Sequence, residues 1–175
     1  LQWVRKGTSD IARIGFAMGQ KGTCSRLLTT VFGAPITYAS FGDAVAPGQL
    51  SMDVLMNCYR VPELNDSCLI YGVAGKDVHH SRELEVMNQQ LKKKQLNVVC
   101  IPLECLDLDE LLAVMEGLNL KGDPLEDPLK DIAIDKFSGR GSFPGTSVYI
   151  EISSFHGTQE FHIHPISGKN FFKHL

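Results

Sequence analysis

An arginine just after one loop and a glutamine in the next are the chemistry-bearing pair of this sequence. Arg26 stands in Ser25-Arg26-Leu27, and Gln49 closes Ala46-Pro47-Gly48-Gln49. Each follows a strand-like apolar run, Ile14–Met18 or Ile36–Ser40, that ends in a polar, glycine-bearing loop. In parallel α/β architectures the loops after strand C-termini form the ligand face, so the two side chains are expected to converge there. A guanidinium fork binds a carboxylate in bidentate fashion, and a carboxamide pairs with hydroxyls. Together they suit a small, acidic, hydroxylated molecule. The competing reading is a surface arginine beside a helix and an unrelated loop glutamine.

Other reactive residues are weaker candidates. Lys21 lies in a loop of the same presumed face, which a Schiff-base lysine requires, but a solvated lysine explains it as well. His79-His80-Ser81 places a base beside a hydroxyl, yet adjacent loop residues seldom face each other and no acid stands at a supporting spacing. His162 and His164 lie two apart and would share one strand face. With His156 they have the residue types of a zinc site, though exposed strand histidines are the simpler account. Gly139–Gly145 lacks the Gly-Lys-Ser/Thr ending of a phosphate loop, and the acids of Asp123–Asp131 lack calcium-loop spacing.

The elements that must hold these residues read as follows. Cys24–Phe32 is a helix with Leu27, Leu28 and Val31 on one side, stopped by Gly33 and Pro35. Ser51 is placed as the N-cap of a helix through Val54, Leu55 and Cys58. Residues 61–67 read as a linker. Cys68–Ala74 and Asn97–Pro102 are strands, and Arg82–Gln95 and Asp107–Gly117 are helices. Leu84, Met87 and Leu91 stripe the first helix, and Leu108, Leu111, Leu112 and Met115 the second. Strand–helix–strand–helix with short connections predicts a parallel sheet. Beyond it, Ser147–Ile152 and Glu160–His164 alternate around a turn, as a β-hairpin does.

The 175 residues are 43% hydrophobic and 21% charged, a globular composition. A net charge of -3 gives no electrostatic case for nucleic acid or an anionic membrane as partner. No apolar run has the length of a membrane span. The five cysteines form no Cys-x-x-Cys pair, so reduced thiols and a cytoplasmic setting are expected. Because the chain opens on Leu1 rather than Met, further residues are expected to precede it.

Met18-Gly19, Gly22, Ser25-Arg26-Leu27, Phe32-Gly33, Thr37-Tyr38 and Ala46-Pro47-Gly48-Gln49 resemble the C-terminal part of type I 3-dehydroquinate dehydratase. The resemblance implies the last two βα units of a TIM barrel. It also implies that Arg26 grips the substrate carboxylate and that Gln49, on a closing loop, contacts hydroxyls. Val45 departs from a serine found there in many members. Tyr71-Gly72-Val73-Ala74-Gly75, His80-Ser81, Asn88, Val98–Pro102 and Asp109–Leu112 resemble the start of the substrate-binding domain of shikimate dehydrogenase. There Ser81 matches the first of two carboxylate-binding serines. Glu83 stands in place of the second, Asp77 in place of a loop proline and Met87 in place of a histidine.

The resulting expectation is an α/β chain in four parts. Residues 1–60 are a dehydratase-like barrel piece, 61–67 a linker, 68–122 a partial parallel αβ substrate-binding domain, and 123–175 an unassigned hairpin-bearing tail. From Asp123 onward the second resemblance is read as ending, short of the family's Val-Thr-x-Pro-x-Lys stretch with its catalytic lysine. The resemblance implies the shikimate pathway: dehydration of 3-dehydroquinate, then NADP-dependent reduction to shikimate. Arg26, Gln49 and Ser81 are the substrate-binding candidates, no catalytic or metal residue is assigned, and no cofactor is expected within the chain. Neither catalytic centre is expected in it, so the chain alone is predicted inactive. The alternatives are a non-catalytic binder of an acidic polyol, an inactive fragment, and a scaffold piece completing another subunit's barrel. Two barrel strands taken alone leave open edges. Residues 1–60 expressed by themselves are therefore predicted to be poorly soluble or loosely packed, and a sharp cooperative thermal transition of that piece would contradict this.

Overall fold

The structure is a computed structural model and describes Val4 and residues 11–137, 147–155 and 158–166. Helix α1 is Thr23–Val31. After a single wide helical turn at Val54–Cys58 come β1, Leu69–Gly75, α2, Arg82–Lys93, β2, Val98–Glu104, and α3, Leu108–Leu118. They are followed by β3, Gly122–Leu125, α4, Leu129–Phe137, β4, Ser147–Phe155, and β5, Thr158–Ile166. The strands form one mixed sheet in the order β2-β1-β3-β4-β5. No helix among the described residues is long and apolar enough to cross a membrane.

The expected parallel pair forms in full, from Leu69 opposite Val98 to Gly75 opposite Glu104. Both runs are apolar and β-branched, as strands covered on two faces must be. Helix α2 packs against β2 through its predicted stripe, with Leu84, Met87 and Leu91 all buried. Asn88 sits in that stripe and pays for its burial with hydrogen bonds. Its side chain donates to the carbonyl of Cys100 at 2.8 Å and accepts from the amide of Cys100 at 3.1 Å. One carboxamide thus copies a β-ladder pair and fixes the helix in register with the strand. The predicted hairpin also forms, with β4 and β5 antiparallel from Ser147–Ile166 to Phe155–Thr158.

The tail is not separate from the sheet. Gly122–Leu125 is a short strand beside β1, framed by Lys121 N–H to the Ile70 carbonyl (2.9 Å) and Glu126 N–H to that of Ala74 (2.8 Å). Its other edge takes β4 antiparallel. The acidic stretch Asp123–Asp131 reads from sequence as a solvated loop. Prolines 124 and 128 argue locally against strand and helix interiors, and the pairing partners that override them lie far along the chain.

The first half departs from expectation more. Among the described residues, neither Ile14–Met18 nor Ile36–Ser40 enters a ladder; the segments show one isolated parallel bridge, Ser40 with Ser51. Helix α1 supplies the missing partners instead. Ser25 Oγ accepts from the amide of Ala17 at 2.7 Å, and Thr29 Oγ1 donates to the carbonyl of Gly15 at 2.9 Å. These are backbone groups that a neighbouring strand would otherwise engage. The helix stops where predicted: Gly33, at φ 99°, donates to Thr30, and Ala34 to Thr29 at 2.9 Å, a Schellman closure. Ser51 caps as expected, its hydroxyl accepting from the Val54 amide at 3.2 Å. The stretch read as a linker is preceded by a buried anchor. Arg60, at φ 54° and 3% exposed, donates to the carbonyls of Leu96 (3.3 Å) and Val98 (2.9 Å) at the start of β2.

Asp123 is the costliest residue of the sheet. It is fully buried, and neither carboxylate oxygen has a hydrogen-bond partner. Burial alone pushes its carboxyl well above the usual range, because the charged form loses its hydration. In the unfolded chain it ionises near the ordinary value of about 3.9. The native state is therefore favoured below that pH and loses stability as pH climbs toward the raised folded value. Asp123→Asn is expected to unfold at higher urea than the parent at pH 7, by at least about 1 kcal/mol, with the gap closing toward pH 4. A gap that does not change with pH contradicts the assignment.

Candidate functional site

Arg26 lies on α1 with 3% of its surface exposed. Its guanidinium carbon sits 4.4 Å from the centre of the Phe16 ring, which in turn meets Tyr38 edge-on at 5.6 Å. Nη2 contacts the Met18 thioether sulfur at 3.3 Å, and Nε has no partner. None of the ion pairs among the described residues involves Arg26. The cation is thus held by a π face and a soft sulfur, both weak substitutes for a carboxylate. Met18 itself is 63% exposed, so the group covering the fork is at the surface and displaceable.

Gln49 approaches the same corner by its backbone. Thr23, one turn before Arg26, donates from Oγ1 to the carbonyl of Gly48 at 3.3 Å, and Gly48 packs directly against the backbone of Gly19. Residues 18–19, the helix face of Thr23 and Arg26, and the loop of Gly48 and Gln49 therefore meet. No hydrogen bond joins Arg26 to Gln49. The Gln49 side chain instead accepts from the amide of Val45 at 3.0 Å and closes its own loop. Lys21 is exposed and holds Glu110 at 3.1 Å, and that carboxylate raises its pKa. A Schiff-base lysine needs the opposite shift.

Ser81 does not share this corner. It follows β1, and its Oγ donates to Glu126 Oε1 at 2.6 Å. Because β3 lies beside β1, the loops after both strands meet here, at the C-terminal edge of the parallel strands where α/β folds place ligands. Sequence reasoning missed the second of these loops. Leu125-Glu126-Asp127-Pro128-Leu129-Lys130 carries a proline and a lysine two residues apart, as a Val-Thr-x-Pro-x-Lys stretch does, with Leu125 and Glu126 in place of its valine and threonine. The Pro-x-Lys spacing was the available signal, and the acids around it disguised it. Lys130 holds Asp127 at 2.9 Å, which raises its pKa and keeps it an ammonium. Burial, then the nearby Glu126, raises the pKa of Glu83.

The remaining candidates yield less. His79 pairs with Glu104 at 3.1 Å, so it is not a base for Ser81. His162 and His164 share a face as predicted, with ring centres 6.3 Å apart. They engage Glu160 and Glu151 respectively, and among the described residues no group of three ligands is placed to hold a metal. His156 and Gly139–Gly145 lie outside the described residues.

Gly48 tests how the first corner is built. Its φ is 74°, and a side chain there would strike the Gly19 carbonyl; Gly33 has φ 99° but open space around it. Gly48→Ala is expected to destabilise by about 1 kcal/mol or more beyond Gly33→Ala, which carries only the left-handed penalty. Urea midpoints of the two variants check this, and equal losses would contradict the packed loop.

Comparison with known proteins agrees with both halves. The Type I 3-dehydroquinase family model matches residues 1–66. The chloroplastic bifunctional 3-dehydroquinate dehydratase/shikimate dehydrogenase of Arabidopsis thaliana is 29% identical over 128 residues, 72% of this chain and 21% of that protein. The 3-dehydroquinate dehydratase of Methanocaldococcus jannaschii is 42% identical over 52 residues, 29% of this chain and 24% of that protein. A structure of dehydroquinate dehydratase and shikimate dehydrogenase from S. pombe aligns at TM-score 0.45 and 22% identity, over 88% of this chain and 29% of that one. The chain spans less than a quarter of the length of these two curated relatives. Residues 1–66 resemble type I 3-dehydroquinase in sequence, and 128 residues of the chain are similar to part of a bifunctional 3-dehydroquinate dehydratase/shikimate dehydrogenase.

Proposed function

We propose that this chain serves the shikimate pathway as part of a dehydratase–dehydrogenase, its first half contributing the carboxylate grip for 3-dehydroquinate. The carrying observation is Arg26, a nearly buried guanidinium whose Nε lacks a partner and whose Nη2 rests on an exposed thioether. Displacing Met18 opens the fork to a carboxylate, which binds it by two parallel hydrogen bonds. Gln49, on the loop packed beside it, releases Val45 and turns to the ligand hydroxyls. In this reading residues 1–60 are the last two βα units of a barrel, and residues 68–137 are the substrate-binding part of the dehydrogenase.

In that second part Lys130 stands at the position of the family's catalytic lysine, protonated and able to donate to a ligand oxygen. The resemblance implies NADP as hydride donor for the whole enzyme. No Gly-x-Gly-x-x-Gly occurs in this sequence, and no step is routed through the dinucleotide. Binding without turnover is the second reading, favoured by the same arginine, since a carboxylate grip needs no catalytic group.

Calorimetric titration of 3-dehydroquinate into the chain tests the proposal. Heat is expected with the parent, with affinity falling about tenfold or more in both Arg26→Ala and Arg26→Lys, because an ammonium cannot reproduce the planar fork. Dehydratase turnover is expected to be absent. No heat from the parent, or an unchanged affinity in Arg26→Ala, removes the assignment.

A further inference from the structure

The residue that covers Arg26 can change its chemistry. Nε and Nη2 form one edge of a guanidinium, and a carboxylate grips such an edge by two parallel hydrogen bonds. In Arg26, Nε is buried without a partner and Nη2 rests on the Met18 sulfur at 3.3 Å. The thioether therefore stands at the edge that a carboxylate needs. Its sulfur is a weak acceptor, so the reduced side chain yields that edge readily.

Met18 is also the most exposed methionine of the chain, at 63% against 50% for Met52 and 45% for Met56, while Met87 and Met115 are buried. The cysteines compete poorly for an oxidant at neutral pH. Burial raises the pKa of all five thiols, those of Cys24 and Cys68 to about 11, and the thiolate is the reactive form. Methionine oxidation needs no deprotonation. Hydrogen peroxide passes one oxygen atom to the sulfur, which supplies the electron pair of the new S–O bond. The O–O bond breaks, and the second oxygen leaves as water. The sulfoxide oxygen is polar and accepts far better than the sulfur did. With the sulfur already 3.3 Å from Nη2, that oxygen is within reach of Nη2 and the orphaned Nε together. Water competes for it, but a buried donor left unpaired is costly, and this favours the guanidinium.

We propose that Met18 is a reversible oxidation site that closes the Arg26 corner: its sulfoxide occupies the carboxylate-binding edge of the guanidinium and shuts the ligand out. The effect on binding rests on the reading of that corner as a carboxylate grip. The bond between the sulfoxide and Arg26 is observable without any ligand.

The test treats the full chain with hydrogen peroxide and locates the oxidised residues by peptide mass spectrometry. Met18 is expected to oxidise ahead of Met52 and Met56. The NMR signal of the Arg26 Nε–H, identified by its loss in Arg26→Lys, is expected to shift on oxidation and to exchange more slowly with water. Methionine sulfoxide reductase is expected to reverse both changes, and Met18→Leu to show neither. Affinity for 3-dehydroquinate is expected to fall about tenfold or more on oxidation of the parent and to recover with the reductase. Met18→Leu is expected to hold its own starting affinity through the treatment, and a chain with both Met52→Leu and Met56→Leu to lose affinity as the parent does. Three outcomes overturn the proposal while leaving the grip in place: Met18 spared while Met52 and Met56 oxidise, an Arg26 signal untouched by oxidation of Met18, or an equal loss of affinity in Met18→Leu. If the reduced parent binds no 3-dehydroquinate, the grip itself falls, and with it the closing of the corner.

Discussion

Every buried backbone amide and carbonyl must find a partner, and that requirement organises both halves of this chain. A lost partner costs about 1–3 kcal/mol, so a chain with few strands must satisfy its backbone by other means. Residues 69–125 meet the demand with a ladder, β1 held between β2 and β3. Residues 11–60 have no such ladder, and helix α1 turns its hydroxyls on the neighbouring backbone instead. That explains an otherwise odd helix, with Thr23, Ser25, Arg26 and Thr29 buried alongside Leu27, Leu28 and Val31. The polar side chains inside are the price of positioning a segment that no strand supports.

The same accounting explains where charge is tolerated inside. Arg60 is buried and donates to two carbonyls at the mouth of β2, locking the first half to the second, with Glu63 3.5 Å from its other terminal nitrogen. Arg26 is buried with a ring and a sulfur. Asp123 is buried with nothing. These are three different solutions to one desolvation problem. The first is structural, although Nε of Arg60 also lacks a partner. The second leaves Nε unpaired and rests the guanidinium on weak partners. The third is a cost to the fold, carried by a strand that the rest of the sheet needs between β1 and β4.

What the sequence disclosed follows the range of the interactions involved. Helices α1, α2 and α3 were readable because their stripes, the Gly33 stop and the Asp107 cap, which accepts from the Glu110 amide at 2.8 Å, are local. The parallel pair and the hairpin were readable from apolar runs and alternation. The runs at 14–18 and 36–40 have strand composition but, among the described residues, no ladder partner, a fact no local pattern carries. Strand β3 was hidden for the converse reason: Gly122, Asp123 and Pro124 are poor strand residues, made a strand by β1 and β4. The corner at Arg26 was legible as residue types on adjacent loops. The bond from Ser81 to Glu126 was not, because it joins residues on loops after different strands.

That unseen bond changes what the second half can be. A match at Ser81 alone argues for a carboxylate-binding serine like that of the resembled dehydrogenase. With Glu126 on its hydroxyl and Glu83 two residues on, the same serine stands beside acids. A residue type can survive at its place while its neighbours reverse its preference, since a hydroxyl has no charge of its own and takes its character from what it is bonded to. Position in a motif therefore fixes where Ser81 lies, at the end of the first parallel strand. The carboxylate of Glu126, on the loop after the third strand, decides what its hydroxyl is bonded to.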